Sequence, residues 1–206
     1  MTRLLRIDAS SRHGGSHSRR LADAFEAAHL AAHPGSTVTR RDLSAVPVPH
    51  ISGPTIDGFY TPAEARDRRM RAAVALSDQL IAELRAAELL VVATPMYNFG
   101  LPSALKAWLD QVIRIHETVA HDGRTFRGLL GGRRAVVLVA AGASGYGPGG
   151  PLAHGDFVVP YLTFVLGFLG FDAVEAVTAE ATNGDPAEQA GCTEAALRRI
   201  ERLAAA

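Results

Sequence analysis

Two short stretches carry residue types suited to holding a flat, charged ligand. Met96-Tyr97-Asn98-Phe99 puts an apolar, an aromatic, an amide and a second aromatic side chain in consecutive positions. A solvent-facing loop does not need that composition. A loop against a flat heteroaromatic ligand does, because the rings exclude water while Asn98 and main-chain N–H groups reach the ring edge. Aromatic side chains that simply plug the core would look the same, so both uses stay open here. The second stretch runs from Ser10 to Ser18 and is small, polar and glycine-bearing (Gly14, Gly15). Hydroxyls and free N–H groups at the amino terminus of a following helix favour a phosphate, since the dipole and the orphan donors both attract negative charge. Ser16 and Ser18 suit this task, and either would equally serve as a plain N-cap. The pattern G-x-x-x-x-G-K-S/T is absent, so the loop is not of the nucleoside-triphosphate type.

A third stretch is a decoy. Gly145-Tyr146-Gly147-Pro148-Gly149-Gly150 satisfies G-x-G-x-x-G, with acidic residues further on. The dinucleotide fingerprint needs a tight turn from the first strand into a helix. This copy follows the fourth predicted strand, and Pro148 and Pro151 break the turn, so it reads as a flexible loop.

The elements that must position these loops follow from periodicity. Leu89 to Ala93 is an apolar, β-branched run read as a buried strand. Pro95, Gly100 and Pro102 then forbid a helix, and Ser103 reads as the N-cap of a helix with Leu105, Trp108, Leu109 and Val112 on its buried face. Arg3 to Ala9 reads as the first strand and Arg19 to about His33 as the first helix. Thr37 to Leu43 reads as an edge-ward strand, and Ser44 to Thr61 as a long loop whose Phe59 and Tyr60 argue for order. Pro62 to about Ala86 reads as one long helix, Ile115 to Gly132 as irregular, and Arg134 to Ala141 as another buried strand. A strongly apolar helix over Phe157 to Leu169, a short strand over Asp172 to Ala179 and a closing helix over Pro186 to Ala206 complete the chain. Strands alternating with helices predict one α/β domain over residues 1–206, a doubly wound five-stranded parallel sheet with helices on both faces. Two strand orders fit the pattern.

Composition excludes several classes. The formal net charge is zero, which leaves no nucleic-acid footprint and no basic face for a membrane. Cys192 stands alone, so neither an internal disulfide nor a cysteine-based metal cluster can form. No apolar run reaches the ~20 residues of a spanning helix. The opening residues run straight into a strand with no signal-peptide pattern, and the expectation is a cytoplasmic protein.

The loops after strands one, three and four would converge at one edge of the sheet, offering hydroxyls for a phosphate, aromatics and an amide for a ring, and glycine for close approach. With these pieces in this order, the sequence resembles the FMN-dependent NADH:quinone oxidoreductases known as azoreductases. The matching residues are Ser10 with Ser16-His17-Ser18, then Pro95 to Phe99, the Gly128-Leu129-Leu130 turn, Tyr161-Leu162, and Leu166 to Gly170. The proline-to-phenylalanine motif is the specific one and the serine loop alone is weak. The resemblance implies a flavodoxin-like fold, a homodimer with FMN at the interface, and ping-pong transfer of hydride from NADH or NADPH through the flavin to a quinone or azo acceptor. It also implies a phosphate held by Ser10, Ser16, His17 and Ser18. Met96, Tyr97, Asn98 and Phe99 would line the ring, and Ala140, Ala141, Gly142 and Ala143 would meet its pyrimidine edge. No metal is expected, and no protein acid or base is named, because the flavin carries the chemistry.

The sequence departs from the family in two places. Ala140-Ala141-Gly142-Ala143 stands where the family shows Ser-Arg-Gly-Gly, which removes a hydroxyl and a guanidinium. Val119 stands near a family aromatic expected over the ring, and would leave that pocket wider or differently shaped. His116, His121 and His154 lie in variable loops; any of them could reach the site, but a surface histidine is the commoner case. Two other readings compete with the enzyme: a flavodoxin-type electron carrier, which neutral charge and long covering loops disfavour, and a scaffold of the same fold that has lost its flavin.

Overall fold

The computed structural model describes Met1–Ala206. Its elements are β1 (Arg3–Asp8), α1 (His17–Ala32), β2 (Thr37–Asp42), α2 (Gly53–Tyr60), α3 (Arg68–Ala86), β3 (Leu89–Pro95), α4 (Ser103–Val112), β4 (Val119–His121), β5 (Phe126–Gly128), β6 (Arg134–Ala140), α5 (Val159–Phe168), β7 (Ala173–Ala179) and α6 (Pro186–Ala205). Five strands form one parallel sheet in the order β2-β1-β3-β6-β7. That resolves the two orders left open by the sequence in favour of the flavodoxin-like one, with its switch point between β1 and β3.

β3 shows how the sheet divides the core. Successive side chains on a strand point to opposite faces. Leu90 and Val92 enter a large apolar cluster with Leu80, Leu84, Trp108 and Leu162, under α3, α4 and α5. Leu89, Val91 and Ala93 enter a smaller one with Phe25 and Ile200, under α1 and α6. Burial on both faces explains why β3 and β6 read as unbroken apolar runs. The register also aligns the strand ends: Asp8 pairs with Asp42 and Ala93, and Pro95 with Ala140, which pairs with Ala179. The loops that follow therefore leave from a common edge.

Several expected boundaries move, each for a local reason. Part of the long loop before Thr61 is helical, with Ser52 and Thr55 forming a capping box at the start of α2. Its Phe59 lies under the Arg114 guanidinium, 5.0 Å from ring centroid to carbon. The long helix does not begin at Pro62: a 3-10 turn covers Ala63–Ala65, and the Asp67 carboxylate accepts Met70 N–H at 2.7 Å to start α3. Ser103 is the first helical residue of α4 and not its cap, because Pro102 makes the break and its carbonyl takes the first bonds from Leu105 and Lys106. α5 begins two residues late, after the Asp156 carboxylate bonds the N–H groups of Val158 and Val159. The span called irregular holds the hairpin β4–β5, too short and polar to show a period, with a turn fixed by Asp122. A β-carbon on Gly128 would sit 2.2 Å from Gly170 N, so the Gly128 turn and the Leu166–Gly170 motif meet backbone to backbone. No helix is long and apolar enough to cross a membrane.

Candidate functional site

At the carboxyl edge of the sheet an open cleft of about 200 Å³ lies over the switch point. The first loop supplies Ser10, Arg12, Gly15, Ser16, His17 and Ser18 to its wall, and the second supplies Pro95, Met96 and Tyr97. Ala140 and Gly142 come from the third loop. Thr182 and Asn183 come from a fourth, after β7.

The first loop gathers buried hydroxyls at the start of a helix. Ser10, Ser16 and Ser18 are only 3%, 6% and 1% exposed. Ser16 is the N-cap of α1, its Oγ accepting Arg19 N–H at 3.4 Å and standing 3.4 Å from Ser18 Oγ. Capping and lining are thus the same task. The main-chain N–H groups of Gly15, Ser16, His17 and Ser18 have no protein partner, and Gly15 takes the left-handed conformation (φ +68°) that the turn into the helix requires. No carboxylate lines the cleft. Burial, then the charges of Arg20 and Arg12, hold the His17 imidazole below its ordinary pKa. Three buried hydroxyls and a helix amino terminus with no carboxylate in the cleft wall are the donor set a phosphate monoester needs.

The second loop is a tight turn. Tyr97 and Gly100 exchange N–H···O bonds of 3.0 Å in both directions, and the two residues between them both have positive φ, Asn98 at 49° and Phe99 at 68°. Asparagine tolerates this; a phenylalanine there is strained, and such strain collects at ligand sites. Met96 N–H bonds Ala140 carbonyl at 2.8 Å, which ties this loop to the third. Met96 is half-buried against the core, whereas Tyr97 and Phe99 are 41% and 50% exposed. The alternative that these aromatics plug the core therefore fails for both. Asn98 and Phe99 lie beside the cleft without lining it, and their N–H groups are unpaired.

The third loop divides the predicted quartet. Ala140 and Gly142 face the cleft; Ala141 and Ala143 do not. Ala141 is fully buried, its N–H bonded to Ala179 and its carbonyl to Thr182. A β-carbon on Gly142 would come within 2.8 Å of Asn183 Nδ2, so glycine lets the Asn183 amide pack directly on the third loop. The N–H groups of Gly142 and Ala143 remain free. The G-x-G-x-x-G decoy opens no helix, but neither is it loose: the Glu180 carboxylate takes Gly145 N–H at 2.7 Å and Tyr146 N–H at 3.1 Å. Val119 is 2% exposed within the main core and does not line the cleft, so its change from an aromatic does not widen this wall. His116, His121 and His154 are exposed and outside it. No group of three or more metal-ligating side chains exists.

Sequence reasoning missed Arg12, Gly15, Pro95, Thr182 and Asn183 as lining residues. The first three sit inside or beside motifs already singled out. The last two had a readable signal: in a parallel sheet every loop after a strand leaves from the same edge, and Thr182-Asn183-Gly184 follows the last strand.

Known proteins match this chain over nearly its whole length. The flavodoxin-like fold family matches residues 2–204. An FMN-dependent NADH:quinone oxidoreductase of Xanthobacter autotrophicus is 56% identical over 203 residues, covering 98% of both chains. An FMN-dependent NAD(P)H:quinone oxidoreductase of Pseudomonas aeruginosa is 42% identical, covering 97% of both. A crystal structure of an azoreductase from Bacillus anthracis superposes with a TM-score of 0.91 at 27% identity, over 100% of this chain and 99% of that one. The chain therefore belongs to the flavodoxin-like fold family, in the group that contains the FMN-dependent NADH:quinone oxidoreductases.

Proposed function

We propose that the chain is an FMN-dependent NAD(P)H oxidoreductase that reduces quinones, azo compounds or both. The observation that carries this reading is the acid-free cradle of buried Ser10, Ser16 and Ser18 at the switch point, next to an aromatic turn and glycine N–H groups. Ser10, Ser16 and Ser18, with the free N–H groups of the α1 terminus, would hold the FMN phosphate. Met96 and Tyr97 would lie against the ring. Asn98, Phe99, Gly142 and Ala143 would present N–H groups, and Asn98 its amide, to the ring edge. Ala141 would act from behind, its backbone being fully used in joining the third and fourth loops. When bound, FMN supplies two-electron chemistry, accepting hydride from NADH or NADPH and passing two electrons to the acceptor in a ping-pong cycle. The protein contributes binding, orientation and water exclusion.

A homodimer belongs to the same reading. A drug-sized ligand is normally enclosed by about 300–1,000 Å³, and the cleft of one chain is smaller and open. Exposed aromatics also lie outside it: Phe157, whose N–H bonds Phe99 carbonyl, and Phe126 and Phe164, each packed on the half-buried Phe168. A second copy covering them would complete the ring side of the site. No nucleic-acid or membrane partner is part of this reading, and we take the enzyme to act in the cytoplasm. The test is steady-state NADH oxidation by the FMN-loaded protein with a quinone. Turnover without any partner reductase is expected; its absence would favour an electron carrier.

A further inference from the structure

We infer that Arg19, which does not line the cleft, is the residue that sets the shape of the anion cradle, with Asp42 as its anchor. The inference rests on the phosphate reading given above. Arg19 is the third residue of α1, and its side chain is 14% exposed. Its two terminal nitrogens bond the Asp42 carboxylate in a fork, at 2.7 and 2.8 Å. Nη2 also donates to Ser10 carbonyl at 2.8 Å, and Nε donates to Arg12 carbonyl at 3.1 Å. Its own N–H is the one that Ser16 Oγ accepts. One residue thus grips the loop at Ser10, Arg12 and Ser16 and fastens it to the end of β2. Asp42 is in turn fixed by Ser44 and Ala45 N–H groups at 2.9 and 3.2 Å.

The loop's other hydrogen bonds are few and long: Arg12 N–H to Ser10 Oγ at 3.2 Å, and 3.4 Å contacts of Ser16 Oγ with Ser18 Oγ and of exposed His13 with Ser44 Oγ. Gly14 and Gly15 add backbone freedom, and the N–H groups of Gly15 to Ser18 are unpaired. Donors must be fixed before the ligand arrives if they are to bind it strongly, because ordering them afterwards costs conformational entropy. Arg19 does this by placement and not by charge. Its charge is paired with Asp42, and Asp8 stands 3.9 Å away. A planar fork bonding four oxygens cannot be replaced by a lysine ammonium.

The test titrates flavin-free full-length protein with FMN and with riboflavin, which lacks the phosphate, and reads quenching of flavin fluorescence. The variants are Arg19→Lys, which keeps the charge and loses the fork, and Asp42→Asn, which loosens the anchor. Wild type should prefer FMN. Arg19→Lys should lose about 10-fold or more in FMN affinity, the usual scale for charge-assisted hydrogen bonds, while riboflavin changes less than about 2-fold. Asp42→Asn should shift the same ratio by a smaller factor. An unchanged FMN-to-riboflavin ratio in Arg19→Lys would overturn the inference, as would equal losses for both flavins, which would mark a general structural role. Should Arg19→Lys fail to fold, Asp42→Asn decides by the same criterion. A wild type that binds both flavins equally would overturn the phosphate reading itself, a result separate from any effect of Arg19.

Discussion

The two halves of the cleft are built on opposite plans. The half proposed for the phosphate is finished within one chain: its hydroxyls are buried, its donors converge, and a buried ion-pair network lies behind it. The ring half is unfinished. Its aromatics are half exposed, two residues of its turn have positive φ, and the N–H groups of those two, Asn98 and Phe99, meet no protein acceptor. A charged group must be met by a preorganised site, because isolated donors and dipoles cannot be repaid later for their ordering. A flat apolar ring is more forgiving, and its burial can be completed by the cofactor, the substrate and a second copy of the chain.

Perturbing the phosphate half should have the largest effect. Ser16→Asp sets a carboxylate against the phosphate, and like charges in contact cost several kcal/mol, so FMN affinity should fall by about 100-fold or more. Riboflavin should lose far less. Tight FMN binding by this variant would mean that the phosphate lies elsewhere. In the ring half, Phe99→Gly removes an exposed ring that packs on Gly155 and relieves left-handed strain of about 1–2 kcal/mol. Thermal stability of the flavin-free protein should hold to within about 1 kcal/mol, since the relief offsets the lost contact. Flavin retention should nonetheless drop by about 10-fold through lost cover of the ring. A large loss of stability with unchanged flavin retention would make Phe99 a packing residue.

A smaller change separates side chain from backbone. Asn98→Gly keeps the turn and deletes the amide, so FMN affinity should fall by about 5-fold, the scale of one hydrogen bond. Unchanged affinity would assign that contact to the main-chain N–H groups. The smallest effect concerns acid. The hydrogen bond from Arg19 holds the Asp42 carboxyl down to about 2. A lowered carboxylate pKa stabilises the fold above the ordinary value and loses that contribution as protons bind. Stability should therefore decline as pH falls from about 4, the usual carboxylate value, toward 2. Asp42→Asn should flatten that part of the denaturation profile; an unaltered profile would show that the pair adds nothing to stability.

How well each region could be read in the sequence follows from its physics. β3 and β6 were plain because burial on both faces demands an unbroken apolar run. The serine loop and the Met96–Phe99 turn were visible because their residue types are chemically unusual for a loop. The hairpin β4–β5 was not, because strands of three residues carry no usable period. Helix starts at Asp67 and Ser52 were missed because a cap is one side-chain bond, weaker as a signal than the proline beside it. Asn183 and Arg19 were missed for another reason: each acts through contacts far apart in the chain, with Gly142 in one case and Asp42 in the other. Only the fold makes those neighbours.

The most direct test of the account is the visible absorption spectrum of the purified protein, reconstituted with FMN where needed, before and after anaerobic addition of NADH. Flavin bands that bleach with NADH and return when a quinone is added are the predicted result. A protein that binds no FMN after reconstitution, or a bound flavin that stays oxidised in the presence of NADH, would contradict it.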